Sequence, residues 1–170
     1  PYTAEVGYRF SPMRVKVRAY DNMYNSYYMN GLQLNDLELG RFGYSMVGGM
    51  NAAVRNQEGV SAYDFNRFGV AGVGGATSVN TRASQFAQGN KLTLSGTNRN
   101  YVARGMFTHA TGLLPSGWAF AGLVGYRWAN EGVIEGTFYN SFSYFLSAEK
   151  RFGDNHALSL VTFGSPSERA

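Results

Sequence analysis

Few residues in this 170-residue chain carry the chemistry of a reaction. His109 and His156 are the two histidines, and no cysteine accompanies them. A histidine without a neighbouring His, Cys or paired carboxylate is a poor start for a metal site. The missing cysteines also remove disulfides, thiolate ligands and a Cys nucleophile. Asp36, Glu38 and Asp64 are loop acids that either meet a cation or simply face solvent. Gly72-Val73-Gly74-Gly75 has the look of a phosphate loop, but no Lys-Ser/Thr and no helix follow, so that motif fails and a tight turn is the better reading. The stretch from Ala129 to Asn140 is more suggestive. It carries Glu131, Glu135, Phe138 and Tyr139, and carboxylates beside aromatic faces are what a sugar site uses. A loop gate that touches no ligand fits the same residues equally well. No arrangement of nucleophile, acid and base emerges, so catalytic residues, cofactors and metals are not expected.

The elements that must position these residues are β-rich. The chain has 22 Gly, 12 Tyr, 12 Phe and 2 Trp, and only 15% of it is charged, against about 25% in an average globular domain. Low charge and many rings argue against disorder. No run of about 18 apolar residues is present to form a transmembrane helix. The net charge is +4, and the arginines are scattered. The one dense stretch, Arg14-Val15-Lys16-Val17-Arg18, alternates along a strand. Nucleic-acid binding, which clusters bases on a face, is therefore not expected. The chain opens on Pro1 and closes just after a strand-like run, so it reads as a piece of something longer.

Two halves follow different patterns. Residues 1–84 hold short strands and polar turns. Arg14 to Tyr20 alternates as a strand. Ser26 to Met29 is a second strand, and Asn30-Gly31 is a hairpin turn leading into Leu32 to Leu34. Ser45 to Val54 is the one expected helix, with Ser45 as cap and Met46, Val47, Met50 and Val54 on one face. Gly69, Gly72, Gly74 and Gly75 precede a β-prone run from Ala76 to Thr81. This half is expected to be a small α+β unit. Residues 85–170 alternate over longer spans. From Trp118 to Trp128 the even positions are Trp118, Phe120, Gly122, Val124, Tyr126 and Trp128, a large and aromatic face with rings at both ends, while the odd positions are small apart from Leu123 and Arg127. Phe142, Tyr144, Leu146 and Ala148 repeat the pattern, and Lys91 to Gly96, Tyr101 to Thr111 and Ala157 to Phe163 complete five strands. Apolar–polar alternation with rings at both ends suits a membrane-spanning barrel. A soluble sandwich with one wet face also alternates. Tight turns at 113–117 and 152–155 against the long loop 129–140 match short periplasmic turns and longer outer loops.

A globular unit followed by barrel hairpins resembles a TonB-dependent outer-membrane receptor, and four stretches carry the likeness. Val15 to Asp21 is similar to the plug strand written "MRGYD". Tyr27 to Asp36 is similar to "VYINGVPMND". Gly59 to Tyr63 resembles "GPASVLYG", with Glu58 where an Arg often stands and Val60 in place of the Pro. Gly72 to Arg82 resembles "GAIGGVINIITK". The closest likeness is to the polysaccharide-utilisation type. The resemblance implies a plug over 1–84 that lacks its N-terminus and, over 85–170, about five strands of a barrel of about 22. It implies active uptake of a small or oligomeric nutrient (a glycan, peptide, siderophore or vitamin) across a Gram-negative outer membrane. Implied partners are the TonB energising complex, through a segment not seen here, outer-membrane lipid, and a surface lipoprotein as lid. Plugs of this kind are seated by ion pairs, so Arg18 or Arg82 is expected to pair with Glu149, with satisfaction by carbonyls or water as the even alternative. A secreted β-rich adhesin or carbohydrate-binding module is the rival reading.

Overall fold

The computed structural model describes residues 20–66, 69–97, 101–132, 135–153 and 155–169. The expected strand from Arg14 and the residue Arg18 lie outside these. Two sheets dominate. The first has the order β2-β1-β6-β3, with β1 at Ser26–Met29, β2 at Leu32–Gln33, β3 at Gln57–Val60 and β6 at Ala76–Val79. β4 at Phe65–Asn66 and β5 at Gly69–Val70 form a separate two-stranded ladder.

Local chemistry explains the first sheet. Asn30 and Gly31 both take positive φ, 51° and 91°, the twist that a two-residue hairpin loop requires. The Asn30 side chain then ties the hairpin to the end of β6. Its amide donates to Thr81 Oγ1 and its carbonyl oxygen accepts from the Thr81 N–H, both at 2.8 Å. Asn35 holds the other side, accepting from the Tyr27 N–H at 2.8 Å and donating to the Asn25 and Gly40 carbonyls. Gly74 and Gly75 let the chain press close before β6. A Cβ on Gly74 would sit 2.6 Å from the Tyr24 carbonyl, and one on Gly75 2.5 Å from the Val60 oxygen.

The second sheet is an antiparallel meander: β7 at Gly89–Gly96, β8 at Ala103–Leu113, β9 at Trp118–Ala129, β10 at Tyr139–Phe152 and β11 at His156–Gly164. β12 at Ser167–Arg169 resumes the pairing with β10 beyond Pro166, which has no N–H to give the ladder. A bulge at Ala110/Gly112 bends β8 near the 113–117 turn. One core joins the two sheets. Tyr27 stacks on Phe42 at 3.7 Å, and Met50, Val79, Leu123 and Phe145 are buried in the same cluster.

The expected fold class is corrected on two counts. First, the N-terminal half is not α+β: among the described residues the helical pieces are short 3-10 turns. The helix expected over Ser45 to Val54 is reduced to Tyr44–Val47, because the chain extends at Gly48 (ψ 129°) and takes positive φ at Gly49. The Gly48 carbonyl, which would serve a helical ladder, instead accepts from Ser143 of β10 and from Ser165, which links β11 to β12. Second, the described strands form an open sheet with β7 and β11 at its edges, not a closed barrel.

Candidate functional site

The site is the inner face of the second sheet, where alternation turns the small and polar residues of β9 and β10 toward the N-terminal unit. Ser141, Ser143, Ser147 and Glu149 of β10 are buried there, beside Ala119, Ala121 and Leu123 of β9. Two polar contacts seat the unit against this face.

The first contact lies toward the 129–139 loop. Ser143 Oγ donates to the Gly48 carbonyl at 2.8 Å, and Ser165 Oγ donates to the same oxygen at 2.7 Å. Arg127 reaches in from β9, its Nη2 donating to Ser141 Oγ at 2.8 Å and Ser165 Oγ at 3.3 Å. Space is tight: a Cβ on Gly48 would lie 2.9 Å from Arg127 Nη2, and one on Gly49 would run into Ser143 Oγ. The guanidinium carbon stands 5.8 Å from the Tyr101 ring centre and 5.3 Å from that of Tyr139, within cation–π range. Arg127 Nε is buried with no hydrogen-bond partner.

The second contact lies toward the tight turns. Glu149 is 1% exposed. Its Oε2 accepts from the Ser84 hydroxyl at 2.7 Å and the Ser84 N–H at 3.2 Å. Its Oε1 takes Arg151 Nε at 3.3 Å, and Arg151 Nη2 donates onward to Ser84 Oγ at 3.1 Å. Ser84 sits in the 3-10 turn Ala83–Gln85 that joins the two halves. The carboxylate therefore grips the connection between them. A cavity of about 980 Å³ opens here, lined by Arg82, Glu149, Arg151 and His156 among others.

Of the ion-pair candidates, Arg82 and Glu149 come together around this cavity, and the ion pair described for Glu149 is with Arg151. Arg18 lies outside the described residues. Of the loop candidates, Tyr139 reaches the Arg127 corner, while Glu131, Glu135 and Phe138 stay exposed on the loop. Gly31 turns the first hairpin, Gly69 opens β5, Gly72 bridges Gly75, and Gly74 and Gly75 make the close approach already described. Sequence reading missed Arg127, Ser84, Ser143 and Ser165. A signal existed for Arg127, the one charge on the odd-numbered face of its strand. The serines gave none.

The outer face of the same sheet has the opposite character. Trp118, Phe120, Val124, Tyr126 and Trp128 of β9 and Phe142, Tyr144 and Leu146 of β10 are exposed there. So are Leu94 of β7 and Leu160 of β11, at 76% and 72%. The rings gather at the two ends of the strands. Trp118 stacks on Phe120 at one end and Tyr126 on Trp128 at the other. Lys150 leans over Trp118 and donates to the Ser116 carbonyl. Among the described residues no helix is long and apolar enough to cross a membrane, which says nothing of strands.

Against family models, curated proteins and solved structures alike, the chain has no match.

Proposed function

We propose that this chain serves energised nutrient uptake across a bacterial outer membrane, its N-terminal unit blocking a pore wall to which the second sheet contributes. One observation carries the reading: the second sheet is inside out. In a soluble protein the large apolar face goes inward and the polar face meets water. Here Trp, Phe, Tyr and Leu side chains face outward, while three serines and a glutamate of one strand are buried. A contiguous exposed apolar face marks a membrane or partner surface, and rings at both strand ends suit the two interfaces of a bilayer. β9, with 12 residues, has the length of a tilted spanning strand, which needs about 9–11. The buried polar face fits a plug. Hydrogen bonds hold the plug in register, beside an apolar patch in which Met50 and Val79 of the unit meet Leu123 and Phe145 of the sheet. The resemblance to TonB-dependent receptors supplies the energy source, an inner-membrane complex that pulls on the plug, and the lipoprotein lid.

Lipid contact is the test. Trp118 and Trp128 fluorescence in vesicles of brominated phosphatidylcholine should be quenched, and purification should require detergent. A monodisperse, detergent-free protein with unquenched tryptophans would turn the reading to a secreted adhesin or carbohydrate-binding module. If the tryptophans are quenched, deletion of the gene should also abolish growth on a scarce nutrient that crosses no general porin.

A further inference from the structure

We infer that the Arg127 corner is a subsite for an acidic oligosaccharide, a sugar chain bearing ring carboxylates; the inference rests on the uptake reading above. Arg127 is held in an unusual way. Every described hydrogen bond of its guanidinium leaves from Nη2 and ends on a neutral serine hydroxyl. Its Nε is buried and unpartnered. Among the described residues the ion pair is that of Arg151 with Glu149, at the other end of the sheet, and Arg127 has no carboxylate of its own. A guanidinium keeps its charge at every physiological pH. Arg127 is half-buried, but its Nε–H is shut away from water without an acceptor, which is costly, and the planar fork of a guanidinium matches a carboxylate. The acids of the adjoining loop, Glu131 and Glu135, are exposed, where solvent screens them.

The surroundings point to a sugar as the bearer of that carboxylate. Tyr101 and Tyr139 stand beside the guanidinium with ring centres 6.4 Å apart and a 33° tilt. Two splayed ring faces suit the C–H faces of consecutive pyranose units. Ser165, half-buried at the same end of the strands, adds a hydroxyl of the kind that a sugar hydroxyl can bond.

The experiment is calorimetric titration of the full-length gene product in detergent with tetramers of galacturonate, glucuronate and mannuronate, each beside its methyl ester. At least one acid should bind about 10-fold or more tightly than its ester, with the advantage shrinking as salt rises. Arg127→Gln should erase the advantage, acid and ester then binding alike, as expected for a lost charge contact. Tyr101→Ala should weaken acid and ester alike. Should Arg127→Gln fail to fold, the wild-type acid-to-ester ratio and its salt dependence decide the matter. Equal affinity for acid and ester, binding of none of the acids, or preference for an acidic peptide over every sugar would overturn the subsite. Lipid quenching of the tryptophans separates the two claims. A membrane-seated protein indifferent to the acids loses only the subsite. A detergent-free protein that still selects the acids keeps the subsite and loses the uptake reading.

Discussion

The two contacts that seat the N-terminal unit differ in kind. At Gly48 the sheet offers neutral hydroxyls to a backbone carbonyl, and the fit depends on two glycines having no side chain. At Ser84 it offers a buried carboxylate to a hydroxyl and an N–H, with Arg151 behind it. Neutral hydrogen bonds contribute about 1 kcal/mol each and charged ones about 1.5–3. The charged contact should thus be the stronger and the more sensitive to salt. The neutral one should be the more sensitive to shape. Under the uptake proposal the unit stays in place and later moves, and such a pair would serve it: one contact fixes position through sterics, and the other holds the connecting turn through charge.

The largest effect should come from shape. Gly49→Val places a branched side chain where φ is +81° and where Ser143 Oγ and Arg127 already fill the space. Strain in that region and the clash together should cost about 3–5 kcal/mol. Chemical denaturation of the variant should show it as a lowered midpoint, or as failure to fold. A cost below about 1 kcal/mol would mean that the turn readily repacks and that the contact is not steric.

Charge should come next. Glu149→Ala leaves the Ser84 N–H and the Arg151 guanidinium without their acceptor. Arg151 is 42% exposed and can turn to water, so the loss should stay near 2 kcal/mol, below the range for a fully buried pair. A double-mutant cycle with Arg151→Gln should return a coupling of roughly 0.5–1 kcal/mol that falls with salt. Additive effects would reduce Arg151 to a bystander and leave Ser84 as the true partner. Under either outcome, proteolysis at the 83–85 turn should quicken more in Glu149→Ala than in any variant at Gly48.

These contrasts mark where sequence reading ran out. The strands were legible because alternation over 11 residues or more leaves little choice of face. The helix was misread because Met46, Val47, Met50 and Val54 keep a helical period, and a local pattern cannot see that Ser143 and Ser165, some 95 and 117 positions away, take the Gly48 carbonyl. Alternation, rings at the strand ends and loop lengths suit part of a barrel wall, whereas the described strands form an open sheet: alternation fixes faces, not edges. The sequence marks Glu149 as an inward charge, and charge complementarity points to arginines of the N-terminal half as its partners. The nearer answer was a serine in the connecting turn and an arginine two residues along its own strand. Short polar residues have no periodicity by which to announce a contact, so Ser84 stayed hidden.

Alkaline titration should separate the contacts by pH. Tyr27 is stacked on Phe42 beside the turn that leads to Gly48, and burial, with Tyr44 nearby adding repulsion, pushes its hydroxyl up to about 12. A raised value means that the folded state holds the phenolic proton more tightly than the unfolded chain, which loses it near 10. Stability from this group is intact below pH 10 and is lost as pH rises from about 10 to 12, by roughly 2 kcal/mol. Tyr27→Phe should flatten that slope. The described side-chain partners of Tyr27 are Phe42, Tyr44 and Asn35, none of them at Ser84. The Gly48 contact should therefore loosen first, read as faster exchange of amides in 44–50 while those in 83–85 hold.

The smallest effect should be the loss of one hydroxyl. Ser143→Ala removes one of the two donors to the Gly48 carbonyl and leaves Ser165 in place. The carbonyl keeps a partner, so no buried acceptor is orphaned, and the cost should be about 1 kcal/mol rather than the penalty of an unsatisfied group. The vacated space also relieves the side chain that bars a larger residue at 49. Combined with Gly49→Ala, Ser143→Ala should thus cost less than the sum of the two single changes, by roughly 0.5–1 kcal/mol. Strict additivity would show that the serine acts only as a donor, and that the glycine is required by its backbone angle rather than by the wall it faces.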